Sequence, residues 1–397
     1  TITYSYPYGK TKTNSVYGAV DLDYKNVVFL NFTGRQDWFS TLSPDNNSVF
    51  YPSVGTSIIV SDIIKMPEFI SFAKLRSSWA QVGGATPDPY ALNQSYSMVQ
   101  GGHNGEQLQT PTSNRVPNST LSPLTSTTIE VGTDLGFFNN RLNLDFAWYN
   151  RSTTNDIVET TISTGSGANS ALLNLGKMRN KGIEFLLSGK IINSRNFSWD
   201  ASFNGSYNEN KVEALTDGLN SITMATSVNG YATITSDVGH PYSTIKGYRP
   251  LKDANGNTVY TLSGGSAAIA RGPLEILGEG VHPWTAGITN EFKYKNISFS
   301  FLIDGKFGGS LYSGTDLYGT RMGLTKLTLE GRENGLPIKG VDTNGNPVDM
   351  VIAPENLRYY YDGLKSISST FIYDASFIKL RQIILGYTLP VDKIRGL

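Results

Sequence analysis

The 397 residues carry 33 Lys plus Arg against 33 Asp plus Glu, and 17% of positions are charged. A zero net charge excludes a dedicated nucleic-acid binder, which needs a basic surplus. The absence of cysteine excludes a disulfide framework, thiol catalysis and a Cys-ligated metal. Gly at 41, Tyr at 22 and a hydrophobic share of 39% suit a β-protein with many turns and a polar interior, and no run of about 18 apolar residues offers a membrane-spanning helix.

In chain order, Val16 to Tyr24 reads as a first strand, with Lys25-Asn26 as its turn into Val27 to Asp37. Val49 to Val60 is a third strand. A link holding Pro67, with room for one helical turn, leads to a fourth, Phe72 to Val82. A long polar stretch, Gly83 to Ser126, then reads as a loop. The clearest pattern follows it. Ile129, Val131, Thr133, Leu135 and Phe137 alternate with Glu130, Gly132, Asp134 and Gly136, and after Asn139-Asn140 the alternation resumes with Leu142, Leu144, Phe146 and Trp148. Strict period two marks strands with two different environments, and two asparagines suit a two-residue hairpin turn. At about 10 residues each, such strands cross a bilayer when tilted.

A loop from about Thr153 to Gly176 precedes strand seven, Met178 to Ile192, and strand eight, Phe197 to Lys211. The loop Val212 to Val281 precedes strand nine, Trp284 to Tyr294, which turns at Lys295-Asn296 into strand ten from Ile297. Gly308 to Ile372 is a third long loop before strand eleven, Asp374 to Leu389. Short turns or compact links thus alternate with long connections, as in an all-β, transmembrane antiparallel β-barrel with turns at one rim and loops at the other.

Several stretches resemble the SusC/RagA family of TonB-dependent outer-membrane transporters. They are YDASFIKLRQIILGYTLP at 373–390, FAKLRSSWAQVG at 72–83, FFNNR at 137–141, NKGIE at 180–184 and YPSVG at 51–55. The resemblance implies a 22-stranded barrel in the Gram-negative outer membrane. On that reading residues 1–397 are a partial barrel domain of about 11 strands, and a longer protein supplies the plug, the remaining strands and a leader. It further implies active import of an oligosaccharide or peptide, with a SusD-like surface lipoprotein as lid and the TonB complex as energy source. The alternatives are a barrel platform for secretion or adhesion, a passive porin, or a soluble carbohydrate-binding β-protein.

No enzyme, cofactor or metal site is expected. His103, His240 and His282 fall in loops, two of them before proline, and no catalytic motif accompanies them. Asp253-Ala-Asn-Gly-Asn257 and Asp342-Thr-Asn-Gly-Asn346 start like calcium loops but lack Gly at the sixth position and a bidentate Glu, so small hairpins are the expectation. Asp304 reads as a lumen-facing residue. Trp148, Trp199 and Trp284 read as girdle residues at the membrane interfaces. Tyr312, Tyr318, Tyr359, Tyr360 and Tyr361 are candidates for substrate contact, because aromatic faces stack on sugar rings. Packing of loop on loop, or a partner interface, is the reading weighed above it.

Overall fold

The computed structural model describes residues 8–85, 88–99, 102–216 and 218–389. It contains two compact units. One comprises the described residues up to Asn220, Pro283–Lys306 and those from Phe377; the other comprises Ser221–His282 and Phe307–Ser376.

The first unit is one large sheet. Its strands are β1 (Thr13–Tyr24), β2 (Val28–Phe39), β3 (Ser48–Ile59), β4 (Ile70–Gly84), β5 (Leu124–Phe137), β6 (Leu142–Thr161), β7 (Ser170–Asn193), β8 (Phe197–Ala214), β9 (Trp284–Tyr294), β10 (Ile297–Phe307) and β11 (Phe377–Tyr387). Each pairs with its neighbour in this order, with β1 and β11 at the two ends of the order. These are the eleven strands expected from alternation. A two-residue strand, Arg115–Val116, joins the start of β7 in parallel.

The register shows why the alternation is so regular. Cross-strand partners share a face, and Val131↔Trp148, Trp148↔Ile183, Ile183↔Tyr207 and Tyr207↔Trp284 line up across five strands. The next row on the opposite face reads Glu130↔Tyr149, Tyr149↔Gly182 and Gly182↔Asn208. One face therefore suits lipid and the other water. Along β8 and β9 the lipid face runs from Phe197↔Tyr294 at the turn end to Tyr207↔Trp284 at the other. Those 10 steps cover ~33 Å of strand, or ~25 Å across the membrane at a tilt of ~40°, the height of a barrel's apolar band. Trp148 and Trp284 lie in its upper row. Trp199, stacked on Phe292 with ring centroids 5.6 Å apart, lies near its lower edge. The Trp199 indole donates to Asn290 Oδ1 at 3.0 Å, which pairs the indole N–H with that carbonyl oxygen, groups costly to leave unpaired in hydrocarbon.

Two local expectations need correction. The Asn139-Asn140 connection spans four residues, because Phe137↔Leu142 is the last pair. Phe138, Asn139 and Asn140 all take positive φ, at 53°, 57° and 58°. The Phe138 and Asn139 amides are held by Phe69 O at 2.9 Å and Ser71 Oγ at 2.6 Å on the adjoining link. The stretch 153–176 is also not a loop. β6 and β7 continue through it as a paired ladder to Thr161↔Ser170. The ladder runs on beyond the apolar band, where period two is lost and Leu172 and Ile157 pack with the connection 85–123 instead. The helical turn expected between β3 and β4 is present as one 3₁₀ turn, Val60–Asp62.

The long connections are folded rather than loose. Within residues 85–123 a hairpin pairs Tyr96–Val99 with Leu108–Pro111. Leu121 and Ala91 pack with Leu42 and Leu172 in a small core. The other two expected loops supply the second unit. One of its sheets orders Ser221–Thr226, Thr233–Asp237, Thr244–Pro250 and Arg271–Glu279. A second orders Ser266–Ile269, Val259–Ser263, Leu336–Asp342 and Pro347–Ile352, its middle pair parallel, and Ser310–Tyr312 pairs with Ile372–Asp374 in a third. Helices α1 (Gly314–Arg321) and α2 (Leu357–Gly363) complete it. Its core is Leu317, Ile352, Tyr361, Leu364, Phe371 and their neighbours, with Leu317, Ile352 and Phe371 at 0% exposure. Hydrophobic burial on that scale explains why these polar-looking segments hold one structure.

The Asp-x-Asn-Gly-Asn segments are tight turns. Oδ1 of Asp253 accepts from the Asn255 and Asn257 amides, and Oδ1 of Asp342 from those of Asn344 and Asn346, at 2.8–2.9 Å. Gly256 and Gly345 both sit at φ 84°, which suits glycine alone. The second turn joins two paired strands, and the first is closed by the Lys252↔Thr258 bridge.

Candidate functional site

The water-facing side of the sheet carries a connected polar wall. Arg76 on β4 reaches across β5 to β6. Its guanidinium pairs with Asp134, with Asp145 at 2.6 Å, and lies 3.8 Å from Glu130. Lys74 adds to Asp134 at 3.5 Å. The crossing is possible because Gly132 stands beneath it. A Cβ there would come within 2.7 Å of Arg76 Nε and 2.8 Å of Phe146 O. One row on, Tyr149 lies over Gly182, whose missing side chain lets its hydroxyl donate to Asn208 Oδ1 at 2.9 Å. Asn208 and Asn210 both donate to Asn180 Oδ1, at 3.3 and 2.8 Å. Asn180 and Asn208, with Thr128, Glu130, Tyr149, Arg151 and Glu184, line a recess of about 340 Å³. Asp304 on β10 belongs to the same face and takes Arg381 at 2.6 Å. A wet wall of fixed amides, carboxylates and guanidinium groups can exchange hydrogen bonds with a polar solute. The alternation gave the polar face; which members pair across strands follows from the register.

The five tyrosines all lie in the second unit, where they divide into two kinds. Tyr361 is 5% exposed, and its hydroxyl donates to Glu330 O at 2.8 Å. Tyr360 meets it edge-on at 5.3 Å and packs on the core. Burial, then the neighbouring Tyr260, Tyr361 and Glu330, push the Tyr360 hydroxyl up to about 12. Tyr312 is half-buried and exchanges hydrogen bonds with Asn229 at 2.8–3.2 Å. Burial raises its pKa, against the Asn229 hydrogen bond. These three hold the unit together. Tyr318 and Tyr359 are exposed, at 39% and 45%. Tyr318 carries the Arg321 guanidinium 5.6 Å from its ring centre.

Tyr359 borders a groove of about 1060 Å³ between the end of α1 and the start of α2, lined also by Arg321, Arg332, Glu355, Arg358 and Asp362. The local sequence builds it. Ser313 caps α1 by accepting from the Asp316 amide at 3.1 Å. Arg321 on its last turn donates to Asp362 on α2 at 2.8 Å. Burial works to raise the Asp362 pKa, yet Lys365 and Arg321 outweigh it, so the carboxylate stays ionised. Arg332 is anchored on Thr328 O at 2.7 Å. Arg358 and Glu355 carried no periodic signal though they neighbour Tyr359 in sequence, and the fold adds Arg321 and Arg332 to the same groove. Among the described residues no three His, Cys, Asp or Glu side chains are grouped to hold a metal. His282 Nε2 contacts Ala375 O at 2.9 Å, a hydrogen bond to the backbone.

A "TonB-dependent receptor P3" of Formosa agariphila is 25% identical over 96% of this chain and 39% of its own length. The "TonB-dependent receptor SusC" of Bacteroides thetaiotaomicron is 25% identical over 94% of this chain and 37% of its own. This chain therefore spans about two fifths of the curated relatives it matches. A solved structure of the RagAB peptide transporter superposes with a TM-score of 0.75 at 20% identity, covering 96% of this chain and 42% of that one, and so shares the fold. The family profile for the TonB dependent receptor-like β-barrel matches residues 1–323. The chain belongs to that family, whose members are outer-membrane barrels of Gram-negative bacteria.

Proposed function

We propose that this chain forms part of the barrel of an outer-membrane importer that takes up an oligosaccharide or peptide against a gradient, energised through TonB. In this reading a SusD-like surface lipoprotein closes over the long connections, and the second unit faces the cell exterior. The observation that carries the proposal is the split between the two faces of one sheet. The outward face matches the apolar thickness of a bilayer. The inward face holds the Arg76 network and the asparagine ladder, a lining for a polar solute. The exposed Tyr359, with Arg358 and Glu355 in the groove, supplies a stacking surface and charged partners at which a sugar or peptide can first be held.

Import would follow from capture of the solute, its contact with the polar wall, and a gated path opened by the energised partner. The test deletes the full-length gene in its own bacterium and follows uptake of labelled oligosaccharide and peptide mixtures, with and without a protonophore. Loss of uptake on deletion, restored by the gene and abolished by the protonophore, is the expected result. Uptake that ignores the protonophore would indicate a passive pore. Unchanged uptake, with co-purification of secretion or adhesion components alone, would establish a structural platform instead.

A further inference from the structure

On the lipid face of β6, β7 and β8 the apolar band ends abruptly. Directly beyond the row Trp148↔Ile183↔Tyr207 come Asn150↔Lys181↔Glu209 and then Ser152↔Arg179↔Lys211. Lys177 lies two residues further on β7, on the same face. These outward positions hold four cations, Lys177, Arg179, Lys181 and Lys211, against two carboxylates, Glu209 and Glu213. Glu213 takes Lys177 at 2.8 Å and Arg179 at 3.1 Å, and Glu209 takes Lys181 at 3.0 Å. Arg179 Nε is steadied by Asn150 Oδ1 at 3.2 Å. The three paired cations remain 44–47% exposed, so each keeps donors free, and Lys211 is exposed. In the row of Arg179 and Lys211, the equivalent positions on β4 and β5 are the uncharged Gln81 and Thr127. Those two neighbouring strands thus carry no positive charge in that row.

Its height decides what it meets. Lys181 lies two residues from Ile183, ~7 Å along the strand from the upper aromatic row. That end of the sheet is the one from which the long connections leave, and so faces the cell exterior. Exposed ion pairs contribute little to stability by themselves, so fold stability is a weak reason for this cluster. We propose that it binds the phosphorylated headgroup of an outer-leaflet glycolipid, with Arg179 and the three lysines as donors to the phosphate and the aromatic row against its acyl chains. Arg and Lys both donate to phosphate, and each cation near an anionic lipid surface adds attraction.

The test uses the full-length receptor in a neutral detergent and native mass spectrometry. The probes are bisphosphorylated lipid A, the same lipid after enzymatic removal of both phosphates, and inorganic phosphate at millimolar concentration. The wild type should retain the phosphorylated lipid about tenfold better than the dephosphorylated one. A variant with Lys177→Gln, Arg179→Gln, Lys181→Gln and Lys211→Gln should lose that preference. A variant with Lys177→Arg, Lys181→Arg and Lys211→Arg should keep it, and guards against misfolding of the neutral one. Equal retention of the two lipids, or an unchanged preference in the neutral variant, would overturn the proposal. So would displacement of the lipid by inorganic phosphate, which would mark a site for the free ion.

Discussion

Ile288→Arg tests the assignment of faces directly. Ile288 pairs with Phe203 on β8, four residues from the upper aromatic pair Tyr207↔Trp284 and six from Phe197↔Tyr294. It therefore stands close to the middle of the apolar band, and it is 45% exposed on the lipid face. A guanidinium placed there costs ~2–4 kcal/mol, the amount measured for Arg at a barrel's midplane. At about 1.4 kcal/mol per decade, that is a shift of roughly 30- to 1000-fold in the folding equilibrium. The neighbouring residue Thr289 pairs with Ser202 and faces the water side. Thr289→Arg should therefore cost under about 1 kcal/mol, since a wet lumen leaves the charge hydrated. Guanidinium unfolding of the full-length receptor in lipid vesicles, followed by tryptophan fluorescence, gives both values. Equal costs, or a larger cost for Thr289→Arg, would refute the face assignment and with it the membrane reading of this sheet.

Arg76→Ala removes the one guanidinium that joins β4 to carboxylates on β5 and β6, leaving Asp134 and Asp145 opposed. It should lower the melting temperature measurably, and Arg76→Lys should restore only part, because an ammonium cannot fork between the two. Phe371→Ala empties a fully buried ring site in the second unit and should cost ~3–5 kcal/mol. Limited proteolysis should then cut within 221–282 or 307–376 while the barrel keeps its resistance to cold SDS; cleavage limited to the barrel would count against a separately cored unit. The Asp237 carboxylate is 6% exposed. Burial works to raise its pKa, but hydrogen bonds from Lys246, Ser221 and Thr235 outweigh that and hold it below the usual value. A lowered folded-state pKa gives stability that is present above the unfolded value near 3.9 and is lost as pH falls through the folded one. Protease resistance of the second unit should accordingly drop below about pH 4, and Asp237→Asn should flatten that dependence.

The barrel strands were legible because lipid on one side and water on the other impose period two on every residue. Ile129 to Phe137 is the plain case. The extension of β6 and β7 was not legible, because stretches such as Thr153-Thr154-Asn155-Asp156 have no two-solvent contrast once outside the apolar band. The second unit was hidden for another reason. Its middle strands pair in parallel, Val259 with Val341, and its core joins Ala267 to Leu317 and Phe371. No local pattern encodes contacts at that separation. The tyrosines were visible as a cluster, but Tyr359 differs from Tyr360 and Tyr361 only in which way α2 turns it. The capping role of Ser313 could have been read from its place before Gly314-Thr315-Asp316.

The second unit is built from two pieces of chain separated by Pro283–Lys306, the hairpin β9–β10. This sets an order of assembly. The strands of the sheet pair with neighbours in sequence, so that sheet can grow strand by strand, across short turns at one rim and long connections at the other. The strand Val259–Ser263 forms a hairpin with Ser266–Ile269, but its other edge has no such option. Its parallel partner, Leu336–Asp342, is not made until the hairpin has passed, and closing so long a loop carries an entropic cost before any contact is gained. That hairpin must therefore wait, with Ala267 and Tyr260 lacking their core partners, until the second piece arrives. Residues 259–269 are where a chaperone would be needed most, and where a stalled chain would be cut first.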